Sequence, residues 1–594
     1  MTWKGFLGAM AMVALLVWPQ IPHVPYDALA TAILACGYSI AALSLVLLIG
    51  MVGQISLGQA SLVGIGAFAS ALATKKLGWG FPYTMVVGMA AGAGLAAVIG
   101  AVGLRVRGLY LAVATLIFAY VCDQYLFAQP WLVESQSGTS IPSQVIGTKG
   151  QLPFFDLADG HIFYYVALAV AAAVVYALAN LRESRTGRAF SAIRGSEVAA
   201  ASLGINVMRF KLIGFMLAGG IAGLGGALTL AGSRSVTPGQ FNFQASLFIL
   251  AIAVVGGLRS IGGAVFSSLL FAILVGEIFF RFPAVGNYLS LVSALVLVVV
   301  LLFFRGGLGA IPERLAVLWA RLGPRLAPLL KPDSGLMTYG RDFRSSLGGR
   351  ARPLSVPVRA GLARLPWRRR VDDRLGALDI TSLVSRIVPA GEAEIIPLRG
   401  AGEPKDSVAV RALLKSAAGT HAIAGEPGPE ARRQPVLLRA QNITVRFGGL
   451  TAVDDASLQV GAGEIVGLIG PNGAGKTTLF NSILGLNEPT SGRVALFDTD
   501  VTSWPVHQRA ALGVGRTFQI LQLFGDLTVF ENLLVATHLQ NPTGIGGSIF
   551  VSGRALLAER DARARVRAVL RLMDLEHFAD RRVAGLPFGV LRLI

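Results

Sequence analysis

The chain has 594 residues, of which 54% are hydrophobic and 14% charged, and its formal net charge is +19. This length exceeds one ordinary domain, and this composition excludes a wholly soluble protein, so much of the chain is expected to lie in a membrane. The positive charge is assigned to cytoplasmic loops and to contact with anionic membrane lipid, not to nucleic acid, because no nucleic-acid recognition motif accompanies it.

Apolar stretches predict a polytopic α-helical membrane domain of eight to ten spans over residues 1–311, because several of them reach the roughly 20 residues that cross a bilayer. The candidates lie near 5–19, 27–52, 83–104, 109–128, 162–180, 211–232, 245–257, 261–280 and 287–304. The first stretch is predicted to be a retained helix, not a cleaved signal peptide, since no clear small-residue cleavage site follows it. The glycine-rich run at 56–73 stays ambiguous.

Two glycine pairs in this domain have helical spacing. Gly88 and Gly92 are one turn apart, and so are Gly219 and Gly223. Small faces of this kind allow helices to approach closely inside a membrane. Tight helix packing is favoured over a substrate groove at these positions.

Loop charge predicts which side of the membrane each loop occupies. Residues 181–211 carry five arginines and one lysine, whereas residues 129–161 carry one lysine and three acidic residues. The first segment is therefore predicted to be cytoplasmic and the second periplasmic or external. The basic residues that follow position 304 then keep the C-terminal part inside.

The character of the sequence changes after the last apolar stretch. Residues 312–434 are predicted to form a basic juxtamembrane helix and a mostly disordered linker, because they lack sustained periodicity and are rich in Arg, Pro, Gly and Ala. From residue 435 onward strand-like and helix-like patterns alternate, which predicts an α/β domain. Strands are predicted at 437–447, 456–470 and 492–498, and helices at 476–486 and 555–575.

A phosphate-binding loop is predicted in the stretch GLIGPNGAGKTTLF, which follows an apolar run and precedes a helical pattern. Glycines let successive backbone N–H groups turn inward, and the helix N-terminus adds partial positive charge. Lys476 is expected to reach the β- and γ-phosphates of ATP, and the Thr477 hydroxyl is expected to bind Mg²⁺. The predicted nucleotide-binding residues of this loop are Gly470, Pro471, Asn472, Gly473, Ala474, Gly475, Lys476, Thr477 and Thr478.

The surrounding motifs narrow the class of nucleotide-binding protein. GPNGAGKTT, GRTFQ, LTVFENLLVA and LPFG, in this order and spacing, resemble the ATPase subunit of ABC transporters, and specifically that of the branched-chain amino acid importers. The resemblance implies that Phe447 stacks on adenine. It also implies that Gln519 is the catalytic Q-loop residue, which binds Mg²⁺ together with Thr477 and couples nucleotide to the permease. It also implies a signature motif that caps the ATP of a second ATPase subunit, formed by Leu586, Pro587, Phe588 and Gly589.

The membrane half resembles the permease subunit of the same importers. The similar segments include GQISLGQASLVGIGAF, LRVRGLYLAVATLIFA, SRTGRAFSAIRGSEVAAASLGINVMRFKL and VVGGLRSIGGAVF. Gln59 stands where many members of the family carry His. The resemblance implies a cytoplasmic coupling segment that docks on the ATPase, with Gly187, Arg188, Ala192, Ile193, Glu197 and Gly204.

The family's ATPase continues beyond the signature with an apolar strand that ends in Asp-Glu and with a later switch His, and neither has a counterpart here. The ATP-binding domain at 435–594 is therefore expected to be incomplete, as a sequence fragment, a true truncation or, third, an inactive ATPase. As given, the chain is expected not to hydrolyse ATP by itself.

Together these resemblances imply the fused permease and ATPase of an ABC importer for branched-chain or related hydrophobic amino acids, in the bacterial inner membrane with its nucleotide-binding domain cytoplasmic. The cofactors would be ATP and Mg²⁺. The expected partners are a periplasmic substrate-binding protein, a second permease subunit and a second ATP-binding subunit. Urea, short amides or other amino acids stay open as substrates, and a membrane-anchored regulatory ATPase is the alternative from a different class.

Overall fold

The structure is a computed structural model, and it divides into two compact units, one of residues 1–321 with 504–594 and the other of residues 322–503. The residues it describes are 26–103, 109–132, 139–141, 159–274, 307–308, 435–518, 521–540, 544–550 and 552–594. The predicted spans at 5–19 and 287–304, the helix and linker at 312–434, and Gln519 lie outside the described residues. The sequence-predicted ATP-binding region is thus shared between the two units.

Apolar helices form the membrane part of the first unit. They are α1 (Tyr26–Leu45, continued by a π-helical segment Val46–Val52), α2 (Gln59–Leu77), α3 (Tyr83–Gly103), α4 (Leu109–Val121), α5 (Gly160–Glu183), α8 (Val207–Ser233), α9 (Phe243–Gly256) and α10 (Ile261–Ile273). Among the described residues, four segments are long and apolar enough to cross a membrane: Ala28–Val52, Tyr83–Ala101, Gly160–Glu183 and Val207–Ser233. The predicted stretches that the structure describes therefore fall on helices.

The ambiguous run at 56–73 is also mostly helical, since α2 begins at Gln59 and buries most of its length. Its many glycines and serines lower its apparent hydropathy, which is why the sequence left it undecided. A short two-stranded ribbon pairs β1 (Thr139–Ser140) with β2 (Ser235–Val236) in antiparallel fashion.

Close packing of α3 against α8 confirms the prediction from glycine spacing. A Cβ atom added at Gly92 would lie 2.2 Å from the Gly219 carbonyl oxygen, and one added at Gly223 would lie 2.2 Å from the Gly88 carbonyl oxygen. Any larger side chain would force the helices apart, because such distances are far inside van der Waals contact. The two glycine pairs face one another across one helix interface.

Two short helices, α6 (Arg185–Gly195) and α7 (Glu197–Ser202), connect α5 to α8. Capping side chains explain where they begin: Ser184 accepts a hydrogen bond from the Gly187 N–H at 3.3 Å, and Ser196 accepts one from the Ala199 N–H at 3.2 Å. Such oxygens satisfy N–H groups that a helix leaves unpaired at its start. The sequence therefore fixes two sharp turns in the segment predicted to be cytoplasmic.

In the second unit, a four-stranded sheet has the order β4-β3-β5-β6, and every neighbouring pair is antiparallel. Its elements are β3 (Val436–Phe447), β4 (Leu450–Gly461), α11 (Lys476–Leu484), β5 (Ser491–Leu496) and β6 (Thr499–Asp500). The strand prediction for 456–470 was wrong beyond Gly461, because residues 464–470 have no ladder partner among the described residues. A strand needs such a partner for its backbone groups, and here Ile465 and Ile469 are 97% and 80% exposed.

The first unit also contains the helices that follow the sheet: α12 (Val506–Ala511), α13 (Val529–Ala536), α14 (Ile545–Phe550), α15 (Gly553–Leu572) and α16 (Phe588–Leu591). A capping box starts α13, because Thr528 Oγ1 accepts from the Glu531 N–H and Glu531 Oε2 accepts from the Thr528 N–H. Apolar side chains of α13 and α15 share a small core. The predicted helix at 555–575 corresponds to α15.

Candidate functional site

The predicted phosphate loop leads directly into α11. Gly473 and Gly475 adopt φ values of 87° and 78°, in the left-handed region that favours glycine. A Cβ atom at Gly475 would lie 2.1 Å from the carbonyl oxygen of Ala452 on β4, so no other residue fits there without a shift of the backbone. The glycines thus bring the loop close against the sheet at the start of the helix.

The ammonium group of Lys476 curls back over this loop. Its Nζ donates to the carbonyl oxygens of Gly470 and Pro471, each at 2.6 Å. Thr477 follows on the first turn of α11 with an exposed side chain. An ammonium group, a hydroxyl and the N-terminus of a nine-residue helix form a donor set suited to an anionic phosphate.

The adenine-stacking residue predicted from the resemblance lies at the end of β3. Phe447 pairs with Leu450 across the β3–β4 turn, and its side chain is 52% exposed. The same hairpin supplies Ala452, which contacts Gly475. An exposed ring on the strand pair beside the phosphate loop can stack on a base, and this role stays a prediction.

The predicted signature motif lies in the first unit, at the start of α16. Leu586 packs beside the core that α13 and α15 share, and Pro587 precedes the helix. Phe588 is 62% exposed, and the Arg592 guanidinium carbon is 5.0 Å from the centre of its ring. A Cβ atom at Gly589 would meet nothing within 4 Å, so this motif presents an open surface.

The predicted coupling segment contacts the helices of residues 504–594, and one of these contacts is a buried ion pair. Arg188 is 6% exposed, and its guanidinium Nη2 lies 2.6 Å from Glu559 Oε2 on α15. Arg188 Nη1 also donates to the Glu183 carbonyl oxygen at 2.9 Å. Burial alone would raise the pKa of Glu559, but the hydrogen bonds and charges of Arg188 and Arg563 outweigh it and lower this pKa.

An apolar core forms a second part of the same surface. Ala192 and Ile193 are buried against Phe524, Leu527 and Val535. These side chains come from the coupling segment and from α13 with the loop before it, so the contact is a shared hydrophobic core.

Two glycines of the coupling segment leave room for side chains of residues 504–594. A Cβ atom at Gly195 would lie 3.1 Å from the Phe524 ring, and one at Gly204 would lie 2.5 Å from Leu539. Gly204 has a φ of 82° as well, so its conformation and its contact both disfavour a larger residue.

A single carboxylate, that of Asp526, binds two separate parts of the chain to this surface. Asp526 accepts hydrogen bonds from Arg194 on α6 and from Arg259, which lies between α9 and α10. Arg194 also donates to the carbonyl oxygen of Gly50 at the end of α1. Burial would raise the pKa of Asp526, but the two guanidinium groups outweigh it and lower this pKa.

Polar contacts extend the surface on both sides. Thr186 Oγ1 lies 2.8 Å from Ser548 Oγ on α14, and Asn206 Nδ2 lies 3.0 Å from a ring nitrogen of His507 on α12. His538 is buried edge-on against Phe210, with ring centres 5.5 Å apart. Burial, with the charges of nearby arginines, lowers the pKa of His538 to about 3.

Four of the six residues predicted for coupling lie on this surface: Arg188, Ala192, Ile193 and Gly204. The described contacts of the other two stay within residues 181–211. A Cβ atom at Gly187 would lie 2.1 Å from the Leu181 carbonyl oxygen, and Glu197 pairs with Lys211 at 2.5 Å. Asp526 and Glu559 were missed, because no local pattern marks a charge whose partner is distant in the chain.

Comparisons with known proteins identify both parts of the chain. Residues 28–301 match the family model described as branched-chain amino acid transport system / permease component, and residues 453–591 match the model described as ABC transporter. The LivM permease protein of Escherichia coli K12 is 33% identical over 292 residues, which are 46% of this chain and 67% of LivM.

The ATP-binding part has relatives of its own. The LivG ATP-binding protein of Salmonella typhimurium strain LT2 is 42% identical over 153 residues, which are 26% of this chain and 60% of LivG. The chain therefore spans less than two thirds of the length of this relative. A crystal structure titled as the ADP conformation of an ATP-binding cassette of an ABC transporter is 31% identical, over 27% of this chain and 61% of that one. Its TM-score is 0.21.

Proposed function

We propose that this chain drives ATP-dependent uptake of branched-chain or related hydrophobic amino acids. It belongs to the family of branched-chain amino acid transport permeases, and it also carries an ATP-binding segment of the ABC transporter type. One polypeptide would then supply both the membrane path and the ATP-binding part. The rival, a regulatory ATPase with a membrane anchor, needs only one or two spans.

One observation supports this proposal most directly. The coupling segment between α5 and α8 shares a buried core with α13 and pairs Arg188 with Glu559 on α15. A membrane anchor would not require a buried ion pair and an apolar core between its spans and the ATP-binding part. A transporter does, because force has to pass from one to the other.

The phosphate loop would supply the ATP-dependent step. Backbone N–H groups at residues 472–478 and the Lys476 ammonium would hold the phosphates, and the Thr477 hydroxyl would bind Mg²⁺ with Gln519. ATP with Mg²⁺ would supply the free energy of transport by favouring one conformation of the ATP-binding part over another. The coupling segment would carry that preference into the membrane helices.

The proposal places the ATP-binding part in the cytoplasm and the chain in the bacterial inner membrane. Five arginines and one lysine at 181–211 support it, because basic loops face the cytoplasm. The proposed partners are a second permease subunit, a second ATP-binding subunit and a periplasmic binding protein. Phe447 on this chain, and Leu586–Gly589 toward the second ATPase, would contribute to the paired nucleotide sites.

Uptake into proteoliposomes tests the proposal. The chain is reconstituted with the partner subunits encoded beside it, and entry of radiolabelled leucine is measured with ATP inside and the binding protein outside. We expect uptake that requires ATP and falls in the presence of excess valine. Urea as the better competitor, or equal uptake without ATP, would contradict the proposal.

A matched pair of variants connects the activity to this chain. Lys476→Ala removes the ammonium that lies over the phosphate loop and is expected to abolish ATP-dependent uptake. Arg493→Ala removes an exposed cation from β5 in the same unit and is expected to leave uptake unchanged. Equal uptake by both variants would assign ATP use to another subunit.

A further inference from the structure

The membrane part contains a helix break with polar side chains buried around it. The π-helical segment after α1 ends at Val52, residues 53–58 are not helical, and α2 begins at Gln59. Backbone that is not helical at membrane depth has to be satisfied internally. Here the Leu57 N–H donates to Thr115 Oγ1 at 2.9 Å, and the Gln54 N–H donates to the Leu48 carbonyl oxygen at 3.0 Å.

The start of α2 lies well inside the membrane part. Gly50 lies at the end of the membrane part where the chain contacts Arg194 and Leu258. At 1.5 Å per residue, Ser44 lies about 9 Å farther from that end along the helix. Ser246 lies about 15 Å along α9 from Gly256 by the same rise. Gln59 touches the first serine and Ala60 the second, so this helix begins inside the membrane part, about 9–15 Å from that end by the same rise.

Gln59 has a buried oxygen with no partner. Its side chain is completely buried, and its Nε2 donates to Ser44 Oγ at 2.5 Å. Ser44 donates its own proton to the Ala41 carbonyl oxygen, so Ser44 Oγ can only accept from Gln59, and the amide nitrogen must face it. Gln59 Oε1 is thereby left without a hydrogen bond among the described residues, and a buried acceptor in this state is costly.

A hydroxyl with a spare proton contacts the next residue of α2. Ser246 Oγ, 1% exposed, accepts from the Ala60 N–H at 3.0 Å, and no described residue accepts the Ser246 proton. The capping residue Gly58 has no side chain to satisfy the first N–H groups of α2, which also carry partial positive charge. The start of α2 thus offers an unpaired acceptor, a hydroxyl donor and a helix N-terminus.

We propose that the start of α2 is a binding site for the ammonium and carboxylate groups of an amino acid in transit. Gln59 Oε1 accepts a hydrogen bond from the ammonium. The Ser246 hydroxyl donates to the carboxylate, and the partial positive charge at the N-terminus of α2 adds to the attraction. This inference rests on the proposed function, and it adds a recognition site within the membrane part itself.

Binding of tritiated leucine to the purified transporter complex in nanodiscs, without nucleotide and without the binding protein, tests the site. Gln59→Met keeps the shape and removes the acceptor, and we expect it to weaken leucine binding at least about 10-fold, because a hydrogen bond to a charged group contributes about 1.5–3 kcal/mol. Gln59→Glu keeps an acceptor oxygen and is expected to retain binding. Ser268→Ala is the control, since its buried hydroxyl donates only to the Ala264 carbonyl oxygen.

Three results would overturn the proposal: no leucine binding by the wild-type complex, equal binding by wild type and Gln59→Met, or equal loss in Gln59→Met and Gln59→Glu. If Gln59→Met does not fold, Ser246→Ala replaces it, with weaker leucine binding expected and unchanged binding counting against the site. The proposed function is checked separately by ATP-driven uptake in the wild type. A wild type that transports leucine while Gln59→Met binds it normally refutes this site alone.

Discussion

The buried ion pair between Arg188 and Glu559 gives the sharpest prediction about the coupling surface. Glu559→Gln removes the charge that pairs with the buried Arg188 guanidinium and leaves it only uncharged acceptors, the new amide oxygen and the Glu183 carbonyl oxygen. Breaking a buried ion pair from one side costs about 3–5 kcal/mol, and we expect about 3 because the Glu559 side chain is 18% exposed. This free energy is lost from the contact between α15 and the coupling segment.

Native-state proteolysis measures that loss. Trypsin cleaves after arginine, and α15 carries several, but only a helix that has opened locally is cut. A change of about 3 kcal/mol corresponds to roughly 100-fold faster cleavage within α15. Asp561→Asn is the control, because Asp561 is exposed on the same helix and also borders Arg560, so it corrects for altered cleavage at that site.

A double variant separates pairing from burial. Arg188→Met combined with Glu559→Leu is expected to restore most of the protection, because an apolar pair of similar volume often replaces a buried ion pair without loss of stability. The reasoning is refuted if Glu559→Gln and Asp561→Asn are cleaved at the same rate. The lowered pKa of Glu559 adds a pH test: the contact is stable at neutral pH and weakens only as acidification passes below the usual pKa of a glutamate.

Two further predictions concern helix packing and acid stability. Gly92→Ala is expected to destabilise the purified chain by about 1–3 kcal/mol through overpacking against α8, and so to lower its thermal unfolding midpoint. Gly94→Ala on the same helix meets open space and should leave the midpoint unchanged. Equal midpoints for the two variants would contradict this. His538 stays neutral when folded, with a pKa of about 3, but takes up a proton near pH 6.5 when unfolded. Acidification to pH 5 should therefore lower the free energy of unfolding by about 2 kcal/mol in wild type and not in His538→Gln. Parallel pH profiles of this free energy in the two proteins would refute the assignment of a neutral, buried His538.

The sequence predicted those features whose signal is local. Apolar stretches long enough to span a bilayer fall on helices wherever the structure describes them, because burial in lipid requires a continuous apolar run. The phosphate loop was found for a similar reason, since the two positive φ values at Gly473 and Gly475 require glycine. The glycine pairs were recognised as contact faces, but their partners could only be read from the structure.

Features that depend on distant partners were not predictable. Residues 464–470 have the composition of a strand, but composition does not supply a hydrogen-bonded neighbour. Asp526 lies in the loop before α13 and belongs to no motif, and its importance comes from Arg194 and Arg259 in other parts of the chain. Gln59 was noted only as a departure from the family pattern, whereas its unpaired oxygen is visible only in three dimensions.

Asp526 also connects the coupling surface to the helix break before α2. Its partner Arg194 donates to the Gly50 carbonyl oxygen, and the Arg194 side chain fills the space where Gly53 has no Cβ atom. Gly53 begins the helix break that ends at Gln59. A displacement of Asp526 therefore acts on one end of the break through a single arginine, and the proposed amino-acid site lies at the other end. Because nonhelical backbone changes conformation more easily than a continuous helix, we expect movement at the coupling surface to alter the start of α2 before it alters the packed glycine interface of α3 and α8.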